Sequence, residues 1–271
     1  MPDKLPDNGP RSIAVFLGTS GSGQALLKIL GPLLDKDTGV DLQGVFAIDD
    51  DLRHAADLPF VKELCRLTYS VREFHGPEFE RTVALRTRTA RKAVEQLARR
   101  TGVAFSFHDV RGATVQILQK TALSADITFF EPLRLFVAQQ VSSVSRSRFR
   151  RRRIIVAIDD LENGASALQA AALLAKGQMQ NVTVLVNAGA MADSDSGRQF
   201  VGSKLGSDPA EIIIVPQDGF YGLIDMARAK RADMLVLGAS EQTLKSESLR
   251  SLLERLPCPV CLVRSWDAPE Q

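Results

Sequence analysis

Ile154-Ile-Val-Ala-Ile-Asp159-Asp160, leading into Ala165-Ser-Ala-Leu-Gln-Ala-Ala-Ala-Leu-Leu174, reads as a short strand and then a helix. The same order occurs earlier in the chain. Ile13-Ala-Val-Phe-Leu-Gly18-Thr-Ser20 leads there into Gln24-Ala-Leu-Leu-Lys-Ile-Leu30. Each copy later reaches an Ala-Asp pair before an apolar run, Ala125-Asp-Ile-Thr-Phe-Phe130 and Ala232-Asp-Met-Leu-Val-Leu237. Both opening runs are apolar without alternation, as in a strand buried on both faces of a parallel sheet. Repetition over this length predicts two related units in tandem.

The intervening segments fit that scheme. In the first copy, strands are expected over 40–48, 103–107 and 127–130, with a charged amphipathic helix over 78–100 and further helices over 113–123 and 133–144. In the second copy, strands are expected over 154–158, 182–186, 212–215, 234–237 and 259–264. The helices between them are expected over 165–176, 193–206, 221–230 and 248–256. Strands alternating with helices imply right-handed βαβ units, so the fold class is α/β, with two tandem doubly wound parallel-sheet domains. The copies differ in two places. The first has a longer insert after its second strand, and it lacks a counterpart of Pro259-Val-Cys-Leu-Val-Arg264. The division expected is a disordered lead-in over 1–10, one unit over 11–144, a basic linker over 145–153, a second unit over 154–265 and a tail over 266–271.

Composition limits the function classes. With 271 residues, each unit is long enough to bury a core of its own. No stretch approaches the ~20 apolar residues of a membrane span, and the N-terminus lacks an apolar signal core, so a cytoplasmic protein with no membrane partner is expected. A net charge of +2 gives no argument for nucleic acid. Cys65, Cys258 and Cys261 are too few and too irregular for a disulfide framework. Cys258 and Cys261 have C-x-x-C spacing but lie in an apolar strand pattern, not at a helix start, so they read as packed thiols.

Several of these segments resemble the universal stress protein family, in particular its tandem two-domain members. Ile154-Ile-Val-Ala-Ile-Asp159 looks like the family's first strand with its terminal acid. Leu58-Pro-Phe60 with Glu63 is similar to a segment of some tandem members. Ala232-Asp-Met-Leu-Val-Leu-Gly238 looks like strand four, and Leu256-Pro-Cys-Pro-Val-Cys-Leu-Val-Arg264 like the closing strand. The resemblance implies a Rossmann-like, adenine nucleotide alpha hydrolase-like sheet in each unit. It also implies a stress-response or regulatory role by binding, and dimerisation. One branch of the family binds ATP and another does not.

The residues of this chain decide between the branches. In the ATP branch, glycines after strand four let backbone N–H groups approach phosphate, next to a helix N-terminus. Here Gly238 matches the first glycine, but Glu241 stands at the second, and Ser246 and Glu247 stand at the final Gly-Ser pair. Two carboxylates would therefore oppose a triphosphate. Asp159 fits either branch. In the first copy, Gly18-Thr-Ser-Gly21-Ser-Gly23 lies where phosphate loops occur, but Gln24 holds the place a Walker lysine needs. A turn with Ser22 as helix cap is the plainer reading. Strand four of this copy ends Phe129-Phe-Glu131-Pro132, with no glycine. Asp159, Gly238, Gly18 and Gly21 are thus the candidates for a degenerate nucleotide site. No cofactor is expected, and ATP is the alternative.

Other clusters read as structural. Arg146-Ser-Arg-Phe-Arg150-Arg-Arg-Arg153 could grip an acidic partner, but it lies at the junction, where a solvated linker is expected. Asp49-Asp-Asp51 suits a turn and helix cap better than a metal, and the three histidines lack ligand spacing. His108 and Asp109 are strand neighbours that point apart. No nucleophile arrangement is present. The expected activity is non-enzymatic interaction with an unidentified protein partner. A homodimer is expected through Val260–Val263, read as an exposed apolar sheet edge.

Overall fold

A computed structural model describes residues 11–18, 23–34, 39–58, 60–64, 70–73, 76–132, 153–190, 194–205, 209–216 and 219–264. Gly21, Ser22, Cys65, the helix expected over 133–144 and the basic run up to 152 lie outside these residues.

The strands of the first half are β1 (Ser12–Gly18), β2 (Asp41–Asp49), β5 (Ala104–Gly112) and β6 (Ile127–Phe130). Those of the second are β7 (Ile154–Ile158), β8 (Val182–Asn187), β9 (Glu211–Val215), β10 (Met234–Gly238) and β11 (Val260–Val263). The helices are α1 (Gln24–Leu30), α2 (Asp50–Ala56), α3 (Gly76–Thr101), α4 (Thr114–Ser124), α5 (Leu161–Leu174), α6 (Ser194–Leu205), α7 (Gly219–Ala229) and α8 (Ser246–Arg255). A small hairpin, β3 (Lys62–Leu64) against β4 (Val71–Glu73), sits in the insert that the sequence left without structure.

All nine large strands belong to one sheet, in the order β5-β2-β1-β6-β11-β10-β7-β8-β9. Every pairing is parallel except β6 with β11. The α/β class is as expected, but the two halves share a sheet. Their strand orders outward from the junction match, β6-β1-β2-β5 against β10-β7-β8-β9, with β11 inserted between. The Ala-Asp pairs hold matching places in this scheme. Asp126 Oδ2 accepts from the N–H groups of Arg11 and Ser12, at 2.8 and 2.9 Å. Asp233 Oδ2 accepts from the N–H of Arg153 at 2.9 Å.

The expectation that β11 offers a free edge for dimerisation is overturned. It pairs with β10 on one side and antiparallel with β6 on the other, setting Val260 against Phe130, Cys261 against Phe129, Leu262 against Thr128 and Val263 against Ile127. All eight of these residues are buried. An apolar strand left at an edge would expose both its side chains and its peptide groups, and the first half satisfies both needs. Arg264 extends the junction, donating its backbone N–H to the Asp126 carbonyl at 2.8 Å and its guanidinium to the Leu123 carbonyl.

Nor does each half bury a core of its own. One apolar cluster gathers α1, α3 and α5 on one face of the sheet, and a second gathers α4, α7 and α8 on the other. Both clusters run across the two halves. Helix α4 packs on α8, and α5 packs on the 3-10 turn Gly31–Leu33 of the other half. The core is divided by sheet face because a continuous two-faced sheet has two apolar surfaces to cover.

Candidate functional site

Of the expected site residues, Gly18, Asp159 and Gly238 lie at the C-terminal ends of the central strands, where ligands of open α/β sheets bind. The antiparallel β6–β11 junction separates them. Strands β1 and β6 run opposite to β7 and β10, so Gly18 and Gly238 stand at opposite ends of the sheet. Asp159 and Gly238 do meet, because β7 and β10 are adjacent. The two halves therefore offer two separate strand-end sites, not one composite site.

In the second half, Asp159 is engaged by its own fold. Its Oδ1 accepts from Asn187 Nδ2 at 2.9 Å, and Asn187 Oδ1 accepts from the Gly189 N–H at 3.1 Å. The next residue, Asp160, caps α5, its Oδ1 accepting from the Asn163 N–H at 2.8 Å. Asn163 Nδ2 also donates to that oxygen, at 3.2 Å. The Asp160 cap starts the helix four residues earlier than the apolar spacing suggests. It also seats Asn163 against β10. A Cβ built on Gly238 would lie 2.7 Å from Asn163 Cβ and 3.1 Å from its carbonyl carbon. The glycine is needed here for close contact between strand and helix.

The loop after Gly238 is closed on itself. Ala239 donates its N–H to the Val263 carbonyl at 2.7 Å. Ser240 Oγ accepts from the Thr243 N–H at 3.1 Å, and Leu244 donates to the Ser240 carbonyl at 3.0 Å. Thr243 and Leu244 are buried, and Gln119 on α4 donates to the Leu244 carbonyl at 2.9 Å. Glu241 and Glu247 are both exposed. Glu247 lies in the first turn of α8, where the helix dipole favours a carboxylate. The groups packed at this strand end are Asn163, against Gly238, and the buried turn at Thr243 and Leu244.

The first half closes its strand ends differently. Gly18 ends β1, and the cap of α1 is Gly23, in the left-handed region with φ 62° and no side-chain cap bond. Glu131 fills that role. It follows β6, is partly buried, and receives hydrogen bonds from the backbone N–H groups of Gly23 and Leu26. Burial pushes its carboxyl above the usual range, against the lowering effect of those two donors. In register, Phe130 lies beside Phe16 as Leu237 lies beside Ala157, so Glu131 holds in this half the place Gly238 holds in the other. Glu131 and Asn163 were the residues missed. Their signals were present in the Asp160-x-x-Asn163 spacing and in an acid directly after strand four.

The remaining clusters are where the sequence puts them. Asp49 caps α2, accepting from the Asp51 N–H at 3.0 Å. His108 and Asp109 are exposed neighbours on β5. Cys258 and Cys261 are buried free thiols. Burial, aided by Asp233, pushes Cys258 up to about 12, and burial pushes Cys261 well above its ordinary value. Among the described residues no helix is long and apolar enough to cross a membrane.

No family model matches this chain, and no curated protein matches it in sequence. Among solved structures it is similar to a universal stress protein from Archaeoglobus fulgidus DSM 4304, with 12% identity, 93% of this chain and 96% of that one covered, and a TM-score of 0.47. It is similar to a putative universal stress protein from Pseudomonas aeruginosa UCBPP-PA14, with 13% identity, coverage of 96% and 95%, and a TM-score of 0.49. The cytoplasmic domain of a prokaryotic cation chloride cotransporter gives 10% identity, coverage of 95% and 96%, and a TM-score of 0.47.

Proposed function

We propose that this chain is a cytoplasmic, universal stress protein-like regulatory protein, built from two related halves, that acts by protein contact and without catalysis. In this reading it holds no ATP by the glycine-loop route. The observation that carries it is that each half satisfies its own strand ends: Glu131 takes the N–H groups that open α1, and Asn163 takes the space beside Gly238. An entering phosphate would have to displace a carboxylate in one half and a capped helix turn in the other. The matching strand orders and the matching Asp126 and Asp233 ties support descent of the halves from one unit. Acid release from the purified protein, followed by chromatography, tests the reading. The expected result is no stoichiometric adenine nucleotide. A molar equivalent of ATP or AMP would replace it with an adenine-nucleotide sensor.

A further inference from the structure

Among the described residues, the sheet ends at two edge strands, β5 and β9. Strand β5 runs nine residues, and seven of these, Phe105 and Val110 among them, are exposed. A long edge of unpaired peptide groups is a template for another strand unless something forbids it. Charges usually do so, and β5 carries Asp109 and Arg111. Their placement about Val110 changes the outcome. In an antiparallel pair related by a two-fold axis through Val110, Asp109 faces the partner's Arg111 and Arg111 faces the partner's Asp109. Val110 then lies against its own copy, and His108 against the partner's Gly112.

The surroundings fit that register. Arg111 and Arg53 both lie against one carboxylate, Glu80, at 3.4 and 3.5 Å, so this patch holds two cations to one anion. The Asp109 carboxylate makes no hydrogen bond or ion pair among the described residues. On the opposite face, Val110 and His108 line a cleft of about 380 Å³ between β2, β5 and α4, with Val45 and Ile117. Centring the pair on His108 instead would oppose two imidazoles and set Asp109 against Phe107. The other edge has no such complement, since pairing β9 about Ile213 sets Glu211 against Val215.

We propose that β5 is the self-association edge of this protein, joining two copies antiparallel about Val110 into one extended sheet, with reciprocal Asp109–Arg111 pairs fixing the register. This deepens the reading of the chain as an interaction protein and is independent of the nucleotide question, so either can fail alone. Sedimentation equilibrium of the full chain over a micromolar-to-millimolar series is expected to show a monomer–dimer equilibrium. Asp109→Arg and Arg111→Asp should each weaken it by about tenfold or more, and the double reversal should restore it, because opposed like charges become opposed unlike charges again. Oxidation of a Val110→Cys variant should link two copies, which the wild type and a Phe105→Cys variant should not do. A wild type that stays monomeric, single reversals that leave the dimer intact, or a double reversal that fails to rescue while circular dichroism shows a folded chain would each overturn the proposal.

Discussion

Gly238, at the end of β10, approaches Asn163 in the first turn of α5 so closely that a Cβ on the glycine would stand 2.7 Å from the asparagine Cβ. The nearest atoms beyond that are the carbonyl carbon and oxygen of Asn163, which belong to backbone and cannot swing aside. Gly238→Ala is therefore expected to cost about 2 kcal/mol through overpacking. It should lower the urea midpoint with an unchanged m-value. Gly31→Ala is the control, since nothing lies within 4 Å of a Cβ there, and its midpoint should stay or rise slightly. Equal midpoints for the two variants would show that β10 and α5 do not meet in this way.

Glu131 should make stability pH-dependent. Its folded carboxyl titrates above the ordinary 4.5 because burial opposes the charge. Below 4.5 both folded and unfolded chains carry the proton. Above it the unfolded chain releases the proton first, the folded state binds more protons, and stability falls as pH rises through the folded value. Glu131→Gln removes that titration while keeping an oxygen for the Gly23 and Leu26 N–H groups. The difference in unfolding free energy, wild type minus variant, is expected to decline as pH is raised from 4.5. A flat difference would mean that the carboxyl titrates alike in both states.

The two strand-entry aspartates should differ in weight. Asp126 accepts from the Arg11 and Ser12 N–H groups and from Ser12 Oγ, the last at 3.1 Å, whereas Asp233 accepts from the Arg153 N–H. Hydrogen bonds to charged acceptors are among the stronger ones. Asp126→Ala is expected to cost about 2 kcal/mol and Asp233→Ala about 1 kcal/mol in chemical denaturation. The reverse order would contradict the bonding described.

Cys258 and Cys261 should resist alkylation in the native protein. Cys258 is held as a thiol up to about 12, and Cys261 is fully buried. Since the thiolate is the reactive form, iodoacetamide at neutral or mildly alkaline pH should leave both unmodified by peptide mass spectrometry. Both should be modified after unfolding in urea. Modification of either in the native state would show that β11 leaves its place between β6 and β10.

The sequence located most elements because local periodicity and burial on both faces leave a direct record. Ile127–Phe130, Ile154–Ile158 and Val260–Val263 lie where apolar runs put them. Its errors fall where local pattern and tertiary role part. Strand β5 continues through His108, Asp109 and Arg111 to Gly112, because an edge strand facing solvent tolerates polar residues that an inner strand would not. Helix α5 begins at Leu161 because the Asp160 side chain caps it, accepting from the Asn163 N–H.

By itself the chain sequence determined an α/β protein with Asp159 and Gly238 at strand ends. Only the tertiary structure decided that β11 lies against β6, that the cores follow sheet faces, and that Glu131 and Asn163 occupy the strand ends. The physical reason is range. Hydrophobic period and capping act within a few residues, whereas the pairing of Phe129 with Cys261 and the seating of Asn163 on Gly238 join residues distant in the chain, and only the folded packing brings them together.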